Sequence, residues 1–151
     1  MPVGTIIDMT DTFPRIVQVV LDTTDARRLA EFYRQLFGLE YRAGDEPPQP
    51  GQPDPGGSDW LVLRNADGGG PQLAFQQTEG VRPSTWPDAQ VPQMFHLDTT
   101  VPTRAELAKQ RERALALGAT ELLDRTDDVD EPLYVLADLD GHPFCIFVSP
   151  E

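Results

Sequence analysis

Two imidazoles and one thiol are the reactive side chains of this sequence, and one imidazole has a carboxylate at a useful spacing. His96 is followed two residues later by Asp98 in Phe95-His96-Leu97-Asp98. Alternate residues of a strand share a face, so Asp98 can orient the imidazole or favour its charged form. His96 then has three possible roles: metal ligand, base or hydrogen-bond donor beside a ligand, or satisfied structural histidine. Asp98 can equally be a strand-end carboxylate in solvent. Cys145, in Phe144-Cys145-Ile146, reads as a small buried residue, because a reactive thiol needs a positive charge nearby. A nucleophilic Cys145–His96 pair is chemically allowed, but nothing in the spacing requires it. His142 ends the run Asp138-Leu139-Asp140-Gly141-His142, where Asp-Gly supplies a tight hairpin turn. Trp60, Trp86 and Tyr134 offer faces for stacking on a ligand, and Trp60 adjoins a proline-rich rim.

The elements that must position these residues come in two similar sets. Arg15 to Asp22 reads as a strand, with Val17, Val19 and Leu21 on one face and Gln18, Val20 and Asp22 on the other. Asp25 can cap a helix in which Leu29, Phe32, Tyr33, Leu36 and Phe37 form one apolar stripe, and Gly38 suits its end. Strands are expected at Leu39 to Arg42, Trp60 to Arg64 and Gln72 to Gln77. Between them, Glu46 to Gly57 carries five prolines and three glycines, a surface loop or a rim over a pocket. After a linker from Thr78 to Pro92, the order returns. A strand at Gln93 to Thr99 leads to a helix capped by Thr103 and ended by Gly118, then to strands at Ala119 to Leu123, Leu133 to Asp138 and Pro143 to Val148. Each half is β-α-β-β-β.

Leu21-Asp22-Thr23-Thr24 recurs as Leu97-Asp98-Thr99-Thr100 at the same strand-to-helix junction. A duplicated unit makes one pseudo-symmetric body, and the seam between copies is the natural place for a ligand. Aligning the helix caps instead, Asp25 with Thr103, sets Gln18 on His96, a register two residues different that keeps every side chain on the same face. The expected architecture is α+β: two tandem βαβββ modules forming a paired mixed-sheet cup with helices outside. Residues 1–14 are an extension, 15–77 the first module, 78–92 the linker and 93–151 the second.

Composition narrows the partners. A net charge of −13 argues against nucleic acid and anionic membrane, both of which need cationic surface. One cysteine allows no internal disulfide, and no signal peptide or membrane span is evident. A soluble, cytoplasmic protein is expected.

The ordered set resembles the vicinal oxygen chelate superfamily: glyoxalase I, fosfomycin and bleomycin resistance proteins, and extradiol dioxygenases. Its carriers are Asp25 to Tyr33 with Leu36-Phe37-Gly38, Phe95 to Asp98, and Leu136 to Ile146. The resemblance spans Arg15 to Val148 and is closest to the glyoxalase-like branch. It implies a cup with one metal ligand from the first and last strand of each module, typically His or Gln and then Glu, holding a divalent Lewis acid. Carried over, these positions fall on Gln18, on Ala74 or Gln76, on His96 and on Cys145. Both carboxylates are absent. That donor set is poor for Mg²⁺, Mn²⁺ or Ni²⁺, although Cys with His could suit Zn²⁺. No cofactor is therefore expected, with a divalent metal as the alternative. The cavity is expected to use Gln18, Trp60, Ala74, Gln76, Asp98 and Cys145, with His96 as the catalytic candidate. Four readings compete: lyase- or isomerase-type action on a small oxygenated metabolite without the usual metal set, sequestration of the bleomycin-resistance type, a metal-dependent glyoxalase or dioxygenase, and a module that keeps the fold and serves in protein association. The resemblance also implies a small-molecule ligand and a homodimer.

Overall fold

The structure, a computed structural model, describes residues 13–149. Residues 1–12 of the expected extension lie outside the described residues. The chain runs β1 (Gln18–Thr23), α1 (Ala26–Phe37), β2 (Glu40–Tyr41), β3 (Trp60–Arg64), β4 (Gln72–Gln77), β5 (Leu97–Val101), α2 (Arg104–Ala116), β6 (Thr120–Asp124), β7 (Leu133–Ala137) and β8 (Pro143–Val148). A 3-10 turn lies at Gly56–Ser58. Two four-stranded mixed sheets result, ordered β1-β4-β3-β2 and β5-β8-β7-β6. In each, the first and last strands pair in parallel and the remaining pairs are antiparallel. The fold is α+β, two βαβββ modules in tandem.

Both first strands start later than their apolar runs suggest, and proline is the reason. β1 opens at Gln18 opposite Gln72, the residue after Pro71. β5 opens at Leu97 opposite Phe144, the residue after Pro143. Proline has no N–H to extend a ladder, so Arg15 and Gln93 stay outside and His96 stands just before its strand.

The helix caps set the register between halves. Asp25 accepts from the Arg28 amide and Thr103 from that of Glu106, each at 3.1 Å. β1 ends at Thr23 with α1 starting at Ala26, and β5 ends at Val101 with α2 starting at Arg104. The spacing is equal, so the two Leu-Asp-Thr-Thr segments are not structural equivalents: one closes its strand and the other opens it.

Helix α1 joins the halves. Leu29, Phe32, Tyr33 and Leu36 are buried, each contributing about 2 kcal/mol by leaving water. Tyr33 stacks on Phe75 of the first sheet, with ring centroids 5.8 Å apart. Phe32, Tyr33 and Phe37 also pack edge-on or near it against Phe144 of the second sheet, at 6.0–6.2 Å. One continuous core therefore holds residues of both modules. Near the ends of the helices, Arg113 of α2 donates to the carbonyls of Gln35 (2.7 Å) and Leu36 (3.4 Å).

The proline-rich segment is tied down on the α1 side. Arg27 grips both Asp54 carboxylate oxygens at 2.8 and 2.9 Å and donates to the carbonyl of Asp45 at 2.7 Å. The Asp45 carboxylate accepts from the Val62 amide at 2.9 Å.

Candidate functional site

A cavity of about 550 Å³ opens at the seam. One side is the stretch Val19–Asp22 of β1. A second is the linker, through Val81, Arg82, Ser84 and Val91, continuing to Gln93 and His96. A third is the β7–β8 hairpin, through Asp140, Gly141 and His142. None of residues 46–57 lines it. The linker keeps its course through its own hydrogen bonds: the Thr85 amide donates to the Val91 carbonyl, and the Val91 amide to Thr85 Oγ1, both at 2.8 Å.

The hairpin and linker meet closely. A Cβ on Gly141 would stand 2.5 Å from Pro83 Cβ, and Gly141 has φ +90°. Glycine is required here both by the contact and by the left-handed backbone.

Of the residues expected to form the cavity, Gln76 and His96 line it. Gln18, Trp60, Ala74, Asp98 and Cys145 do not lie on its wall. Gln18 opposes Gln72. Trp60 is half-buried opposite Gln76. Ala74 is fully buried between Val20 and Val62. His96 Nε2 lies 3.2 Å from Asp98 Oδ1, with both side chains exposed, so this pair adds little to stability. Asp98 also pairs across strands with Cys145. Burial first, then the charges of Asp98 and Glu131, push the Cys145 thiol up to about 11. It stays protonated at neutral pH, a poor nucleophile and a poor ligand.

Tyr33, Asp138 and His142 form a cluster that periodicity does not reveal. The Asp138 side chain is wholly buried. Its Oδ2 accepts from the Tyr33 hydroxyl at 2.7 Å. His142 Nδ1 lies 2.7 Å from Oδ2 and 2.9 Å from Oδ1. Oδ1 also accepts from the amides of Asp140 (2.9 Å) and His142 (3.0 Å). Burial opposes the charge of His142, but Asp138, Asp140 and Asp22 outweigh it, so the imidazole titrates above its ordinary value. Burial and the Asp138 charge hold the Tyr33 phenol well above its own. The signal for this cluster was the run Asp138 to His142, in which Asp138 and Asp140-Gly141 suffice for the turn and His142 is surplus.

The cavity wall also carries an unpaired acceptor. Gln93 Oε1 is buried and has no hydrogen-bond partner among the described residues. A buried acceptor without a donor costs about 1–3 kcal/mol, which a ligand N–H or O–H would relieve.

The four positions at which a metal is implied offer an amide, an alanine or a second amide, an exposed imidazole and a protonated thiol. Among the described residues, no three His, Cys, Asp or Glu side chains gather as a metal requires. These residues do not fit a divalent ion.

Residues 18–147 match the family model described as glyoxalase-like domain. No curated protein sequence matches the chain. Among solved structures, it is similar to a glyoxalase/bleomycin resistance protein/dioxygenase family enzyme from Burkholderia phytofirmans PsJN, with 20% identity, 87% of this chain and 95% of that one covered, and a TM-score of 0.60. A glyoxalase-related enzyme from Fulvimarina pelagi gives 18% identity, coverage of 91% and 89%, and a TM-score of 0.62. A mutant of the fosfomycin resistance protein FosX from Listeria monocytogenes, complexed with Mn(II) and a dihydroxypropylphosphonic acid, gives 17% identity, coverage of 91% and 94%, and a TM-score of 0.64. At these identities the likeness is one of fold.

Proposed function

This chain belongs to the glyoxalase-like domain family, within the vicinal oxygen chelate superfamily, and on that premise we propose that it binds a small oxygenated organic molecule in the seam cavity. The observation that carries this reading is the cavity itself. Its volume of about 550 Å³ lies in the range of small-molecule sites, roughly 300–1,000 Å³. Apolar residues such as Val20 and Val91 form much of its wall, with Asp22, Gln76, Arg82, Gln93 and His96 as polar groups. His96 contributes a hydrogen bond to the ligand rather than a bond to a metal. Sequestration needs nothing more than this cavity; lyase- or isomerase-type chemistry needs a base as well. A metal-dependent reaction is disfavoured by the donor set, and loading with Zn²⁺, Mn²⁺ or Ni²⁺ is the check on that choice.

The direct test is binding of 8-anilinonaphthalene-1-sulfonate, an apolar fluorescent probe of cavities. One site per chain is expected, weakened at least about tenfold by Val20→Trp, which fills the cavity from β1. Equal binding by the folded variant would move the site elsewhere.

We also propose, as the family resemblance implies, that the protein is a cytoplasmic homodimer. Support comes from apolar side chains left in solvent ahead of β1 and outside the cavity wall: Phe13, Ile16 and Val17 are 51–78% exposed. Large apolar side chains left in solvent are common at interaction sites.

A further inference from the structure

We infer that His142 is the general base of the seam cavity, a role that rests on the reading of that cavity as a ligand site. A carboxylate only accepts hydrogen bonds. Asp138, within 2.9 Å of Nδ1 through both oxygens, therefore fixes the neutral imidazole with its proton on Nδ1. Nε2 is left as the acceptor, on a side chain that lines the cavity and is 23% exposed. Asp138 is itself pinned by the Tyr33 hydroxyl and two backbone amides. A fixed, oriented, partly desolvated imidazole is what proton abstraction requires.

The pseudo-symmetry of the fold supplies an internal control. In the register shared by the two halves, β4 corresponds to β8, so Asp67 and Pro71 stand where Asp138 and His142 stand. Asp67 Oδ1 accepts from the Gly69 amide at 2.8 Å, as Asp138 Oδ1 does from that of Asp140. The first hairpin thus closes the same turn without an imidazole. Arg111 takes the place of Tyr33 on α2 and turns to Glu121 at 2.6 Å. The turn does not need His142, and the three-residue chain exists only where the cavity lies.

The chemistry that balances with one base and no redox partner is an internal proton transfer. Nε2 takes a proton from carbon beside a carbonyl, the C–H pair moves into a C=C bond, and negative charge passes to the carbonyl oxygen. Nε2 then returns the proton to the former carbonyl carbon while the ligand's hydroxyl proton passes to the charged oxygen, so carbonyl and hydroxyl exchange places and no electrons leave. Arg82 and His96 on the wall are donors for the charged oxygen, and Gln93 Oε1 accepts a hydrogen bond from a hydroxyl of the ligand. The ligand class is a hydroxy-carbonyl compound.

The base can be tested with 5-nitrobenzisoxazole, a neutral probe of any positioned base. A base removes its ring C–H proton, the pair forms the nitrile, the N–O bond breaks, and coloured 2-cyano-4-nitrophenolate leaves. The protein is expected to outpace an equal concentration of free imidazole by at least about tenfold. The rate should rise with pH in one step centred above the ordinary histidine value, since the base works unprotonated. The groups that set this step are Asp138 and Asp140 on the hairpin, Asp22 on β1, Tyr33 on α1, and Arg82 and His96 across the cavity. His142→Gln should fall to the imidazole rate with its near-ultraviolet circular dichroism intact, and Asp138→Asn should move the step to lower pH. A wild-type rate no higher than imidazole, or a folded His142→Gln at the wild-type rate, overturns the role. Should neither variant fold, a wild-type rate that is flat between about pH 5 and 9 does the same. Probe displacement of 8-anilinonaphthalene-1-sulfonate without elimination sinks the base and leaves the cavity standing; loss of dye binding sinks the cavity.

Discussion

At the scale of single residues, Asp138 organises more of the site than either histidine. It is a buried carboxylate with four donors around it: Tyr33, His142 and two amides. Breaking one of these contacts leaves the others to hold a desolvated charge, so loss of the imidazole should cost about 1–3 kcal/mol. The cost has a pH dependence whose sign is fixed. His142 titrates above its ordinary value in the folded protein. Its stabilisation is therefore fully present below the unfolded histidine value and is lost as pH rises through the raised one. In urea unfolding, wild type should exceed His142→Gln most in mildly acidic solution, with the gap narrowing towards alkaline pH. A gap that widens with pH would refute this. Cys145 and His96, the more conspicuous pair in the sequence, do not act together: the thiol is buried and protonated, while the imidazole faces an exposed carboxylate.

At the scale of elements, the decisive contact is between a turn and a linker. The β7–β8 hairpin and residues 80–84 meet at Gly141 and Pro83, and the cavity lies beside that meeting point. Gly141→Ala puts a methyl group into Pro83 and strains a backbone at φ +90°. A cost of about 1–3 kcal/mol is expected, together with weaker dye binding as the linker is pushed away. Wild-type melting temperature and dye affinity in this variant would show that the linker does not form the wall. The hairpin was read from the sequence as a turn and is one. Its second task was hidden, because Asp138 and His142 lie close to Tyr33 only through a contact 105 residues long in sequence. The proline-rich segment shows the opposite case. Composition marks it as irregular, but its position depends on Arg27 reaching Asp54 across the fold.

At the scale of the whole molecule, two modules share one core, and Phe13, Ile16 and Val17 remain in water. A chain with a formal charge of −13 repels its own copies, so association must come from apolar area large enough to overcome that charge. The proposed dimer should appear in light scattering at twice the chain mass, strengthen with added salt, and dissociate in the double variant Ile16→Asp, Val17→Asp. A monomer at all concentrations would leave those side chains without a partner and remove the dimer from the functional reading.

The sequence by itself determined the βαβββ order, the helix caps and the α+β class, because those depend on local periodicity, capping side chains and turn chemistry within a few residues. It also held the signs of its own register: Pro71 and Pro143 stop both parallel ladders. Only the tertiary structure decided which residues form the cavity. That depends on where the linker crosses the seam and on which distant side chains satisfy a buried carboxylate. Such contacts obey hydrogen-bond satisfaction and close packing between segments far apart in the chain, and no local pattern carries that information.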